Sequence, residues 1–207
     1  MYTPSLFRVD DPAKARELMR RHPFAVVVTH GEAGLQASHL PLLVRDEPAP
    51  LGTIVGHMAR ANPHWRELED REVLVVFSGA HAYVSPSFYA RPDVNVPTWS
   101  YVAVHATGRA RAIHDADRLR ALVDEQVGVF EAGLERPWRT LQADDKVGRL
   151  LGGIVGFEIA VERLEAKVKV GQNRDADDRS AAAAVLAGLP DEGSRAIAAW
   201  MRELGLV

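Results

Sequence analysis

The chain contains no cysteine. That absence removes disulfides, thiolate zinc sites, iron–sulfur clusters and cysteine nucleophiles together, and it fits a reducing compartment. Long apolar runs are missing too. None approaches the roughly 18 residues that a membrane span needs, and residues 1–23 lack the apolar core of a secretory signal. Both point to a cytoplasmic protein without a membrane segment. Nor is there an excess of one charge: 25 Lys and Arg stand against 28 Asp and Glu, a formal net charge of −3. A protein that coats nucleic acid by charge alone is thereby disfavoured. GxGxxG, Walker, HExxH and GxSxG motifs are all absent. What remains is a chain of 207 residues, 47% hydrophobic and 26% charged, long enough to bury a core of useful size. It carries no repeat, low-complexity segment or linker.

A first helix is well marked: Asp10 or Asp11 caps it, Pro12 suits its first turn, and Ala15, Leu18 and Met19 share a face. It ends at His22-Pro23, because a residue before proline is pushed out of helical geometry. Strands are predicted over residues 24–29, 35–44, 51–58, 72–78, 98–113 and 156–170, with a turn at 31–34 and Pro41 at an edge or bulge. Residues 62–70 read as a short helix and 81–97 as an aromatic loop. Asp115 caps a second clear helix with Leu119, Leu122, Val123, Val127 and Phe130 on one face. A loop around Trp138, a short helix at 147–151 and a helical tail complete the pattern. Six antiparallel strands with helices at the periphery predict an α+β chain built on a small β-barrel.

The residues that could carry chemistry fall in a few places. Eight histidines invite a metal reading, but their spacing matches no ligand pattern, so no metal site is assigned. No residue stands out as a catalytic base. Residues 48–66 contain no acid yet hold His57, Arg60, His64 and Arg66; residues 94–114 are likewise acid-free and hold His105, Arg109, Arg111 and His114. Such stretches can receive a phosphate, since arginine offers a fixed fork of donors; chance spacing with solvated arginines explains them equally well. Lys167 and Lys169 project from one face of a strand, and Gln172, Asn173 and Arg174 follow as the chain leaves it. An anionic or heteroaromatic ligand fits that mouth, and so does a plain polar strand end. The rings between Tyr83 and Tyr101 suit either a flat ligand or a dimer interface.

Several blocks taken in order resemble one family. They are Met1-Tyr2-x-Pro4-x-x-Phe7, the segment from Ala37 to Leu42, the segment from Gly56 to Trp65, His81-Ala-Tyr-Val-Ser-Pro86, Val96-Pro-Thr-Trp99, Ala103-Val-His105, Gly156-Phe-Glu158 and Lys-x-Lys-x-x-Gln-Asn-Arg ending at Arg174. Together they are similar to the PaiB-like FMN-binding negative transcriptional regulators. The resemblance implies an antiparallel split β-barrel of the pyridoxamine-phosphate-oxidase-like kind over residues 1–174, with 175–207 a helical extension of the same domain. It implies a homodimer with FMN in a groove at the interface. By position His57, Arg60 and Asn62 lie nearest the phosphate, and Lys169, Gln172, Asn173 and Arg174 close the other side of the pocket. Ala166, Val168, Val170 and Gly171 replace the Gly, Trp, Leu and Ser that the family often has, and Phe88 and Ser100 stand for Trp and Asn. Those departures point to a weaker hold on FMN or to another ligand.

Three functions compete. The first is an FMN-binding split-barrel protein, with flavin-dependent redox activity. The second is a direct DNA-binding repressor; the segment 174–207 speaks against it, with four Lys and Arg against six Asp and Glu, and the first helix with Arg16, Arg20 and Arg21 is the only modest reader. The third is a haem-binding or haem-degrading relative, for which no histidine has a distinguishing context.

Overall fold

A computed structural model describes residues 1–32 and 34–207. Of the turn predicted at 31–34, Ala33 lies outside the described residues. Strands β1 to β8 run over Arg8–Val9, Phe24–Gly31, Gly34–Pro41, Leu43–Arg45, Thr53–Ala59, Glu72–Val84, Thr98–Ile113 and Ile154–Lys169. Helices α1 to α5 run over Pro12–Arg21, Ala116–Glu131, Asp144–Leu151, Ala176–Gly188 and Glu192–Glu203. The chain divides into two compact units. The first comprises Met1–Leu18, Ser78–Val104 and Glu165–Val207; the second comprises Met19–Phe77 and His105–Leu164. Strands β6, β7 and β8 contribute residues to both.

In the second unit the strand order is β3-β2-β6-β7-β8-β5-β4. β2 alternates as a half-buried strand should, with Ala25, Val27 and Thr29 inward and Val26 opposite His39 of β3. β5 pairs antiparallel with β8, Gly56 opposite Phe157. A side chain at Gly56 would collide with Leu42 and Phe157, so the bare position lets two core residues meet. The second helix, α2, starts as its sequence predicts: the Asp115 carboxylate accepts from the Arg118 amide at 2.9 Å. Leu119 and Leu122 are buried as predicted, but Phe130 is exposed and the polar Gln126 is buried in line with them.

In the first unit β6, β7, β8 and β1 lie side by side, with Arg8 opposite Lys167. The Asp178 carboxylate, buried in α4, accepts from the Arg91 amide at 3.0 Å and from Asn95 Nδ2 at 2.8 Å. It thus ties down the loop that follows β6. Helix α5 starts hard against β6: a Cβ on Gly193 would come within 2.3 Å of the His81 carbonyl oxygen.

Several elements differ from the sequence reading. The strand predicted at 35–44 is two strands, because Leu42 turns away and donates its N–H to the Pro23 carbonyl at 2.9 Å. The strand predicted at 72–78 continues to Val84, so the aromatic loop begins later. Ring packing of His81 and Tyr83 on Trp99 of β7 carries the strand past Gly79. The helix predicted at 62–70 is only a five-residue 3-10 turn, Pro63–Glu67. The short strand β1, too brief for periodicity to reveal, has no counterpart in the sequence reading.

Two glycines test the packing with opposite signs. A Cβ at Gly108 would lie 2.0 Å from the Ala160 carbonyl oxygen and 3.1 Å from the Val161 Cα, both backbone atoms. Gly108→Ala is expected to cost about 1–3 kcal/mol. Gly128, inside α2, meets nothing within 4 Å, and Gly128→Ala is expected to gain about 0.4–1 kcal/mol. Urea unfolding of both variants checks the pair, and an unchanged midpoint for Gly108→Ala contradicts the close approach.

Candidate functional site

The outer face of the first unit's sheet gathers rings and cations. Alternation along the strands puts His81 and Tyr83 of β6 on one face, Trp99 and Tyr101 of β7 likewise, and Lys167 and Lys169 of β8 likewise. Contacts then join the strands on that face. Trp99 has its ring centroid 5.9 Å from that of His81 and 6.2 Å from that of Tyr83, tilted or edge-on. The Lys167 ammonium stands 5.0 Å from the Tyr101 ring, 5.6 Å from Tyr2 and 6.0 Å from Phe7.

Lys167 is only 5% exposed, and its Nζ donates to the Tyr2 carbonyl at 3.1 Å. Lys169 Nζ donates to Thr98 Oγ1 at 2.6 Å. The Arg174 guanidinium lies 5.1 Å over the Tyr89 ring. Glu165, two residues before Lys167, is taken up by the Met1 ammonium at 2.7 Å. Among the described residues none of Lys167, Lys169 and Arg174 forms an ion pair. Burial lowers the Lys169 pKa from its ordinary value; Tyr101 pulls the other way, and the charges of Lys167 and Arg174 lower it further. Three cations without a counter-ion, beside a row of exposed rings, are arranged to receive an anion attached to a flat ring system. A cleft of about 400 Å³ opens beside the rings, lined by His81, Tyr83, Phe88, Trp99, Asp191 and Ser194.

The other residues predicted at 169–174 have mixed fates. Gln172 spends its side chain on the turn: Oε1 accepts from the Val170 amide at 2.8 Å and Nε2 donates to the Val168 carbonyl at 2.6 Å. Gly171 takes a φ of +94°, which a serine there would adopt only under strain. Asn173 is exposed.

In the second unit the predicted trio sits at and after the end of β5. His57 Nδ1 is 2.7 Å from Gln126 Oε1, while Gln126 Nε2 donates to the Pro41 carbonyl at 3.1 Å. Gln126 therefore presents oxygen to the ring, so His57 Nδ1 carries the proton. Arg60 donates Nε to the Gly152 carbonyl and Nη2 to the Ile154 carbonyl, both at 2.9 Å. Asn62 caps the 3-10 turn, Oδ1 accepting from the His64 amide and Nδ2 donating to Ser38 Oγ. The His64 amide is thus satisfied within the fold. His64 is buried, with Nδ1 2.8 Å from Ser38 and Nε2 2.9 Å from Thr29. Arg66 stacks on its neighbour, 5.0 Å over the Trp65 ring. Gln126 escaped the sequence reading because a lone glutamine on an apolar helix face carries no signal.

The strand order is that of the antiparallel split-barrel class. The family described as "Putative FMN-binding domain" matches residues 1–163, and the chain belongs to it. It is 38% identical over 181 residues to "Protease synthase and sporulation protein PAI 2" of Bacillus subtilis (strain 168), covering 86% of this chain and 85% of that one. Among solved structures it resembles the FAD and heme binding protein from Mycobacterium smegmatis, with a TM-score of 0.59, 17% identity, and 84% of this chain and 79% of that one covered. It also resembles the flavocytochrome Anf3 from Azotobacter vinelandii, with a TM-score of 0.58, 16% identity, and 92% and 75% covered. At such identities the likeness is one of fold. The DNA-binding and haem readings are not favoured, and the cofactor of this family is FMN.

His64 yields a pH test. Burial pushes its pKa below the ordinary 6.5, with a smaller opposing pull from Glu67. The unfolded chain therefore takes up more protons just below that value. Stability held by the neutral ring is present above pH 6.5 and lost as pH falls. His22, also pushed down by burial, has the same sign. His64→Gln is expected to reduce the acid-side slope of unfolding free energy against pH, read from urea melts; an identical slope contradicts a buried neutral ring.

Proposed function

We propose that the chain holds the FMN phosphate on Lys169 and Arg174, with Lys167 adding charge from beneath and the rings of Trp99 and Tyr101 flanking the flavin. The observation that carries this reading is the cluster of three cations without a carboxylate partner. Burial depresses Lys169 most, and an anion there offsets the smaller repulsion that Lys167 and Arg174 add. Asn173 reaches the ligand from the exposed end of the turn, and Gln172 acts by fixing that turn. His57, Arg60 and Asn62 take a lesser part, because Arg60 and Asn62 already spend donors on the fold. Bound FMN supplies one- and two-electron transfer. This chain's residues supply anchorage, orientation and a positive field, and none is assigned as a catalytic acid or base.

The protein works as a homodimer, with the aromatic segment 83–101 at the interface or its border; Tyr83, Val94, Val96 and Trp99 are exposed there. Its absence of cysteine supports a cytoplasmic setting, and among the described residues no helix is long and apolar enough to cross a membrane. The name of the PAI 2 relative supports a regulatory output of the flavin-bearing protein. Direct DNA reading by α1 is weakened: Arg20 is held by the Val44 carbonyl at 2.9 Å and Asp46 at 2.8 Å, and Arg16 and Arg21 also have partners.

Titration of apo-protein with FMN, followed by quenching of flavin fluorescence, tests the placement. Hydrogen bonds to charged groups contribute about 1.5–3 kcal/mol, so Lys169→Ala and Arg174→Ala should each weaken binding about 10- to 150-fold. Arg60→Ala should weaken it little. A larger loss in Arg60→Ala than in Lys169→Ala would move the phosphate to the end of β5.

A further inference from the structure

The His64 ring has no role in the flavin reading, yet three elements of the second unit converge on it. It sits in the 3-10 turn Pro63–Glu67, 2% exposed, against Ser38 of β3 and Thr29 of β2. Ser38 Oγ lies 2.8 Å from Nδ1, and Thr29 Oγ1 lies 2.9 Å from Nε2. Asn62 sets the direction of this chain. Its Oδ1 accepts from the His64 amide at 3.1 Å, which leaves Nδ2 to donate to Ser38 Oγ at 3.0 Å. With one donor already aimed at Oγ, the serine's own proton goes to Nδ1; a proton on Nδ1 would aim a second donor at the same oxygen. The ring then carries its proton on Nε2 and gives it to Thr29. Burial lowers the His64 pKa, so the imidazole is neutral near pH 7 and Nδ1 is free to take a proton. A hydroxyl bonded to the basic nitrogen of a histidine that a third group orients is the arrangement that activates a nucleophile.

We propose that Ser38 is a nucleophile for acyl transfer from small carboxylic esters, with His64 Nδ1 as its base. Oγ bonds to the ester's carbonyl carbon while its proton passes to Nδ1. The bond to the alcohol oxygen then breaks, that oxygen takes the proton from Nδ1, and the acyl group stays on Oγ. Water repeating the sequence releases the carboxylic acid and restores the serine. Asn62 Nδ2, beside Oγ, adjoins the oxygen on which negative charge develops. Glu67 favours the imidazolium: its charge raises the His64 pKa against the larger effect of burial. One oxygen of that carboxylate, Oε2, is buried with no hydrogen-bond partner among the described residues and stands 3.4 Å from Arg71. Access suits a small substrate. Ser38 is half-buried between the exposed Ala37 and His39, and β3 is the last strand of the sheet.

Reaction of the full chain with p-nitrophenyl acetate tests this. The wild type should release p-nitrophenol and gain an acetyl group, which peptide mass spectrometry should place on Ser38. Ser85 and Ser87, whose hydroxyls bond each other at 2.9 Å, serve as internal controls and should stay free. A positioned base contributes at least about 100-fold, so His64→Gln should slow acetylation of Ser38 by about that factor or more. Ser38→Ala should abolish it, and far-ultraviolet dichroism shows whether each variant is folded. The wild type alone can overturn the proposal, by acetylating Ser38 no faster than Ser87. A folded His64→Gln chain that acetylates Ser38 at the wild-type rate overturns it equally. Neither result touches the flavin reading, which FMN titration tests separately.

Discussion

A lysine ammonium taken out of water with no carboxylate beside it sets the terms for the first unit. Removing an unpaired charge from water costs several kcal/mol unless other groups compensate. At Lys167 the compensation is one carbonyl, from Tyr2, and the faces of Tyr2, Phe7 and Tyr101. That arrangement fixes the N-terminal segment against β8, where Arg8 and Val9 pair with Lys167 and Ala166. It also leaves positive charge unneutralised, and Lys169 and Arg174 add to it. A sheet face charged in this way and flanked by exposed rings is complementary to a phosphorylated flat heterocycle.

Much of the frame is legible in the sequence. β2 and the first part of β6 announce themselves by β-branched residues, and α2, α4 and α5 by aspartate caps at Asp115, Asp175 and Asp191. The site is legible only as a set of residue types. Asn62, Gln172 and Arg60 have the donors that a phosphate needs, and all three spend them on backbone or on Ser38. Local composition does not distinguish a donor aimed at a ligand from one that closes a turn. Lys169 is legible as a cation near a strand end, but its tie to Thr98 and its depressed pKa arise only when β7 and β8 lie side by side.

The same distinction separates Gln126 from its neighbours on α2. Periodicity puts position 126 on the buried side but does not say that a glutamine belongs there. It is satisfied by two specific partners, His57 and the Pro41 carbonyl, contributed by β5 and the end of β3. The segment 128–153 inverts this logic. Several of its polar groups are satisfied within the chain, while Leu134, Leu141 and Leu150 stay exposed.

The central claim is that charge on the ligand's phosphate, held by the Lys169–Arg174 cluster, provides most of the affinity. Comparing FMN with riboflavin, which has the same ring and no phosphate, tests it most directly. Isothermal titration of the full chain at low and moderate salt should find FMN bound about 100-fold more tightly or better, with the advantage shrinking as salt rises. Equal affinity for the two flavins, unaffected by salt, would contradict the account.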